Sequence, residues 1–227
     1  MLDFLMLFIL GALSSSDSVE TPVITPTSLA IATDVGVITP EPIILDITPI
    51  MTDEKLLQAG AVKDDETVAI IHTNHGDITL RFFPEAAPKT VENFIGLAKK
   101  DYYDGVIFHR IIDGFMLQGG DPTGTGRGGE SFFGGSFEDE FADTAKNNIG
   151  SIAMANSGPA TNGSQFFINT ANNNFLDNRH SVFGEVISGM NIVNALSKVK
   201  TNGADKPIVD VVMKDVEILT FAEYSAK

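Results

Sequence analysis

The chain contains no cysteine and no tryptophan, and it is short of basic residues. Without thiols, disulfides, thiolate metal sites and cysteine nucleophiles are excluded. Compartment is left open, because reducing and oxidising settings both tolerate a Cys-free protein. Fifteen Lys and Arg stand against thirty Asp and Glu, a formal net charge of −15. Such a balance argues against nucleic-acid binding, which calls for clustered cations. No apolar run approaches the roughly 20 residues that a membrane-spanning helix needs. The longest, Phe4 to Leu13, has ten residues and is followed by Ser14-Ser15-Ser16. That length suits the apolar part of an export signal, although Asp3 stands where a cation is usual. Residues 1–16 are therefore expected to be a signal peptide or a membrane-anchoring segment acting through residues 4–13. An extracytoplasmic location is expected, with a cytoplasmic one as the alternative.

What is present is unevenly spread. Residues 1–66 hold 11 acidic and 2 basic side chains, net −9, whereas 67–227 hold 19 and 13, net −6. Five of the ten prolines lie within 17–66, four after Thr and one in Glu41-Pro42. Proline this dense interrupts helices and central strands, so 17–66 reads as an acidic, poorly ordered linker. Within it, Met51 to Gly60 has the composition of a short helix. The texture changes at Thr67. Thr67–His72 and Asp77–Phe83 are β-branched and alternating, with Asn74-His75-Gly76 between them as turn residues. Pro88 opens a helical stretch whose Val91, Phe94, Ile95 and Ala98 share a face. Short strand candidates follow at 106–111, 115–117, 149–155, 165–169 and 182–187. A second helix is expected over 190–199 and a closing strand over 209–219. Many short strands at this spacing suggest a sandwich or barrel in a domain spanning 67–222. No internal repeat is evident.

The densest chemistry lies at Phe108-His109-Arg110-Ile111-Ile112-Asp113-Gly114-Phe115-Met116-Leu117-Gln118-Gly119-Gly120-Asp121. Two short strands around an Asp-Gly turn would bring Arg110 and Gln118 to one surface, with Phe115 or Met116 beside them, and turn His109 to the other. Spacing alone is met equally well by a hairpin carrying one solvated arginine. Gly124 to Gly129 lacks the helix and Lys-Ser/Thr of a phosphate loop, so it reads as a flexible loop beside this surface. His72 and His75 bracket an expected turn with no third His nearby, which makes zinc binding there an unfavoured reading, and Glu138-Asp139-Glu140 reads as a solvated acidic turn. No metal or other cofactor is expected.

FHRIIDGFMLQGGDPTGTGRGG at 108–129, MANSGPATNGSQFFI at 154–168 and NNNFLDNRHSVFGEV at 172–186 resemble the signature stretches of cyclophilins. The similarity runs from about Thr67 to Leu219, and the short loops resemble compact bacterial members. The resemblance implies a mainly β fold, a closed eight-stranded antiparallel barrel capped by two α-helices. It also implies peptidyl-prolyl cis-trans isomerase activity in protein folding, with Arg110 as the catalytic residue. Phe115, Met116, Phe167, Leu176 and His180 match the family's proline pocket. Gln118, Ala155, Asn156 and Gln165 match the groove that holds the peptide backbone and the arginine. Phe175 stands where many eukaryotic members carry a Trp that bonds cyclosporin, so weak cyclosporin binding is expected. Ser157 replaces a commoner Ala in the groove. The implied partners are proline-containing peptides and unfolded or folding proteins, and the implied state is a monomer. The alternative is a proline-peptide binding or chaperone module whose catalysis is incidental. A further reading makes the acidic, proline-rich front the functional part and the barrel its carrier.

Overall fold

The structure is a computed structural model, which describes residues 56–227; the expected signal or anchor at 1–16 and linker residues 17–55 lie outside the described residues. Strands β1 (Thr67–Thr73) and β2 (Gly76–Phe82) lead into helix α1 (Pro88–Ala98), then β3 (Arg110–Ile112) and β4 (Met116–Gly119). They are followed by β5 (Ser151–Met154), β6 (Phe166–Asn169), β7 (Val182–Ser188), α2 (Met190–Leu196), β8 (Met213–Thr220) and α3 (Phe221–Ser225). The strands form one antiparallel sheet in the order β3-β4-β6-β5-β7-β2-β1-β8.

That sheet curls into a half-barrel and does not close, which corrects the closed barrel implied by the resemblance. Strands β3 and β8 are its two edges. Among the described residues, one bridge runs across the gap, Ile107 to Val212, flanked by main-chain bonds from Phe108 N to Val211 O, Met213 N to Val106 O and Gly105 N to Met213 O. The physical reason lies at the edge of β3. The Ile111 N–H donates to the Asp205 carbonyl at 2.8 Å, so the loop before β8 takes the donor that a closing ladder would use.

The main core fills the concave side. Ile71, Leu80, Phe82, Ile111, Leu117, Ile152, Ile168 and Phe183 point into it from the strands, alternating as a pleated sheet requires. Helix α1 contributes Val91, Phe94, Leu97 and Ala98, and α2 contributes Val193 and Leu196. Phe94 sits at the centre, 5.1 Å from Tyr103 and 5.3 Å from Phe166 between ring centroids. Helix α1 begins with Pro88, and no side chain of its own caps it. Glu140 supplies the missing acceptor from afar, taking the Lys89 N–H at 3.1 Å and the Thr90 N–H at 2.8 Å. The acidic turn expected to be solvated therefore includes a structural carboxylate.

Two segments lie outside the expected pattern. Helix α3 was not expected, although Thr220 and Glu223 form a capping box at its start. Its Phe221 and Tyr224 pack on Val68, Ile70 and Leu219, which explains why β1 is buried on both faces. Residues 56–66, assigned to the poorly ordered linker, are docked on the domain. Leu57–Ala59 form a 3-10 turn rather than the expected helix, and the buried Arg81 donates to the carbonyls of Gly60 and Leu57, both at 2.6 Å. Arg81 is also paired with Glu185 at 2.7 Å. This guanidinium had no recognisable partner in the sequence, because the carbonyls that hold it belong to a segment read as linker.

Candidate active site

The register of the sheet assembles the site. Directly opposed residues in antiparallel strands share a face, and the pairs Arg110–Gln118, Gln118–Phe167, Phe167–Ala153 and Ala153–Val182 run as one row across β3, β4, β6, β5 and β7. The adjacent row, Ile111–Leu117–Ile168–Ile152, faces the main core. The Arg110 row therefore lies on the outer, convex side of the sheet. At about 4.8 Å between strands, Arg110 and Phe167 stand roughly 10 Å apart.

The apolar members of the row, Phe167, Ala153 and Val182, join Met116 in a second apolar cluster, with Phe115, Ala155 and Leu176 against its margin. Phe167 meets the His180 ring edge to face at 5.4 Å, and His180 Nδ1 bonds the Met154 carbonyl at 2.8 Å. Leu176 closes a 3-10 turn at Asn174–Leu176. That turn is tied to the start of β4 by Asn173, whose Nδ2 donates to the Phe115 carbonyl at 2.8 Å and to Asn169 Oδ1 at 2.6 Å. Phe175 is 63% exposed and lies nearly parallel to the Phe115 ring at 6.0 Å. Together these side chains form an apolar patch on the sheet face that carries Arg110.

Arg110 is half-exposed, and its Nε lies 3.5 Å from Asp205 Oδ2. An exposed pair at that distance adds about 0–1 kcal/mol, enough to bias orientation and not to immobilise the side chain. His109 faces the other way and is buried, with no hydrogen-bond partner on either ring nitrogen among the described residues. Burial holds its pKa below the usual histidine value, against the Asp121 charge, which acts to raise it. His109 is therefore neutral at physiological pH and brings no second cation to Arg110.

The polar half of the site is a groove of about 270 Å³ lined by Gln118, Gly126–Gly129, Asn156, Ser157, Thr161 and Gln165 among others. Gln118 Nε2 donates to Gln165 Oε1 at 2.9 Å, and Gln165 Nε2 donates to the Gly128 carbonyl at 2.8 Å. The Ala155 N–H bonds the Gln165 carbonyl at 3.0 Å. Asn156 Nδ2 reaches the Arg179 carbonyl at 2.9 Å and Asp139 Oδ1 at 3.4 Å, and the Ser157 N–H donates to Thr161 Oγ1 at 2.8 Å. Of the twelve residues singled out from the sequence, Gln118, Ala155, Asn156, Ser157 and Gln165 line the groove, and Phe115, Met116, Phe167 and Leu176 belong to or border the apolar cluster. Phe175 and His180 pack on Phe115 and Phe167, and Arg110 stands across from Gln118. Sequence reasoning missed the residues that fix them, namely Asp121, Asp139, Asn162 and Asn173. Asp139 alone ties Asn156, Asn162 and the Ala160 N–H. A larger cavity of about 750 Å³, lined by Leu57, Arg81, Glu85 and Ile95, shares no residue with the Arg110 row.

Known proteins of similar sequence and fold identify the family to which this chain belongs. Residues 68–218 match the family model for cyclophilin type peptidyl-prolyl cis-trans isomerases. A Staphylococcus haemolyticus protein bearing a peptidyl-prolyl cis-trans isomerase name is 43% identical over 185 residues, covering 69% of this chain and 93% of that protein. A Staphylococcus aureus relative of the same name is 44% identical over 185 residues, covering 69% and 94%. Among solved structures, a Cryptosporidium parvum cyclophilin type isomerase is 41% identical with a TM-score of 0.66, covering 68% of this chain and 98% of its own. The same parasite protein, solved in the presence of the dipeptide Ala-Pro, gives 40% identity and a TM-score of 0.66 over 67% of this chain and 99% of its own. The chain belongs to the cyclophilin type peptidyl-prolyl cis-trans isomerases.

Proposed function

We propose that the protein accelerates rotation about X-Pro peptide bonds in folding polypeptides, without covalent chemistry, through Arg110. The observation that carries this reading is the cross-strand row that places Arg110, Gln118 and Phe167 on one face of the sheet, where Phe167 forms an apolar cluster with Met116. Resonance opposes rotation of the amide by ~18–20 kcal/mol. Both isomers of an X-Pro bond are populated, so only the barrier needs lowering. In the twisted state the prolyl nitrogen becomes pyramidal and gains a lone pair. Arg110 donates to that lone pair, an interaction weak in the planar ground state and strong at the barrier top. A charge-assisted bond contributes about 1.5–3 kcal/mol, or roughly one to two powers of ten in rate. The rest comes from the recess of Phe115, Met116, Phe167, Leu176 and His180, which grips the proline ring while the backbone held along Gln118, Ala155, Asn156, Ser157 and Gln165 turns.

Proline-containing peptides are the substrate class. The Cryptosporidium structure solved with Ala-Pro supports that assignment by similarity. Phe175 supplies an apolar wall without an indole N–H, so cyclosporin binds weakly. The domain acts as a monomer, and residues 1–16 direct it to, or hold it at, an extracytoplasmic site through the acidic linker. N-terminal sequencing of the mature protein tests the last point, and soluble protein beginning at Met1 would overturn it.

The test is exchange spectroscopy by NMR on an Ala-Pro peptide with a catalytic amount of protein. Cis-trans exchange cross-peaks that grow with protein concentration are expected. Peptide shifts on binding without exchange would favour the alternative, a proline-peptide binding module.

A further inference from the structure

Asp121 follows the Gly119-Gly120 pair at the end of β4 and is completely buried. None of the ion pairs among the described residues includes it. A lone buried carboxylate is strongly unfavourable unless its oxygens are hydrogen-bonded. The loop that follows meets this demand. Oδ1 accepts from the N–H and Oγ1 of Thr123, both at 2.8 Å. Oδ2 accepts from the N–H groups of Gly126 at 2.7 Å, Thr125 and Arg127 at 3.1 Å and Gly128 at 3.2 Å, as well as from the hydroxyls of Thr123 and Thr125. The loop is thus wrapped around one anion as a backbone nest. Glycine at 128 is required, because a Cβ there would collide with Asp121 Oδ1. Burial alone would raise the Asp121 pKa. The bonds from Thr123, Gly128 and Gly126 outweigh it and hold the carboxyl well below the usual carboxylate range.

The nest ends at the active site. Gly128 turns its carbonyl to Gln165 Nε2, which leaves Gln165 Oε1 to accept from Gln118 Nε2. One acceptor therefore fixes the orientation of two amides in series, and the second of them, Gln118, stands directly across from Arg110 in the sheet register. We propose that Asp121 is a positioning residue for catalysis, acting through the Gly128 carbonyl on the Gln165–Gln118 amide pair that flanks Arg110. The proposal rests on the isomerase reading above. Without the carboxylate, the loop no longer holds Gly128 in place. Gln165 and Gln118 are then able to rotate by half a turn, reversing donor and acceptor on the amide pair that flanks Arg110 in the sheet.

A double-mutant cycle in the full chain tests this. Asp121→Asn is isosteric, but either orientation of its amide sets an NH2 group against main-chain donors. With secondary structure retained by circular dichroism, kcat/KM on an Ala-Pro peptide is expected to fall about tenfold, mostly in kcat. The side-chain amide resonances of Gln118 and Gln165 are expected to move with it. Gln165→Met should show a similar loss, and the double variant should be no worse than Gln165→Met alone, because both act on one path. If Asp121→Asn does not fold, Thr123→Val removes a single hydroxyl donor. It should lower kcat/KM about threefold in the parent and not at all in the Gln165→Met background. Multiplicative losses in either cycle, or unchanged kinetics in a folded Asp121→Asn variant, would overturn the proposal. An inactive parent protein would instead overturn the isomerase reading, and the proposal with it.

Discussion

Arg110 illustrates what a single residue reveals in sequence. Its neighbour relations were legible, since strand alternation separates it from His109 and unites it with Gln118, and the register does both. Its role was not, because a three-residue strand gives no chemical signal; only the three signature stretches supplied one. The residues that hold the site in shape were illegible for a different reason. Asn173 meets Phe115 across 58 positions and Asp139 meets Asn162 across 23, distances over which no local pattern operates. Arg110→Lys keeps the charge and loses the planar fork. Steady-state kinetics should show kcat/KM reduced by roughly fivefold to fiftyfold, intermediate between the parent and Arg110→Ala. Phe175→Trp adds an indole donor on a wall that already stacks on Phe115. Cyclosporin affinity should rise by about fivefold to tenfold, the effect of one added hydrogen bond. The introduced indole would report binding directly, as the chain has no other Trp.

At the scale of elements, short β-branched or apolar runs between turn residues located every strand to within a few residues, and apolar periodicity located both longer helices. It missed α3, a five-residue helix too short for a period, although the spacing of Thr220 and Glu223 marks its start. Thr220→Ala removes that cap and should lower stability by about 1 kcal/mol in denaturant unfolding. The docking of residues 56–60 was also missed. Arg81 holds two carbonyls of that turn and pairs with Glu185. Removing one partner of a buried pair leaves the other charge uncompensated. Arg81→Met should therefore cost about 3–5 kcal/mol, and the further change Glu185→Leu should recover much of it. Equal stability of Arg81→Met and the parent would show that the turn contributes nothing to the fold.

For the molecule as a whole, the nest around Asp121 makes stability depend on pH. The Asp121 pKa is depressed on folding, so its contribution is complete above the unfolded value of about 4 and is lost as pH falls towards the folded one. The gap in Tm between the parent and Asp121→Asn should narrow from pH 5 to pH 2.5. Parallel curves would assign the depression to the unfolded state or to nothing at all. Barrel closure was illegible in the sequence, because it depends on a few long-range main-chain bonds, those between residues 105–108 and 211–213 and the Ile111 N–H given to Asp205. The central claim concerns the whole chain at work on its substrate. The most direct measurement is a protease-coupled assay of an Ala-Pro peptide with the full-length protein and with Arg110→Ala. The account predicts clear acceleration by the parent and a loss of about tenfold to a hundredfold in the variant. Equal rates for the two proteins would contradict it and leave a domain that only binds proline.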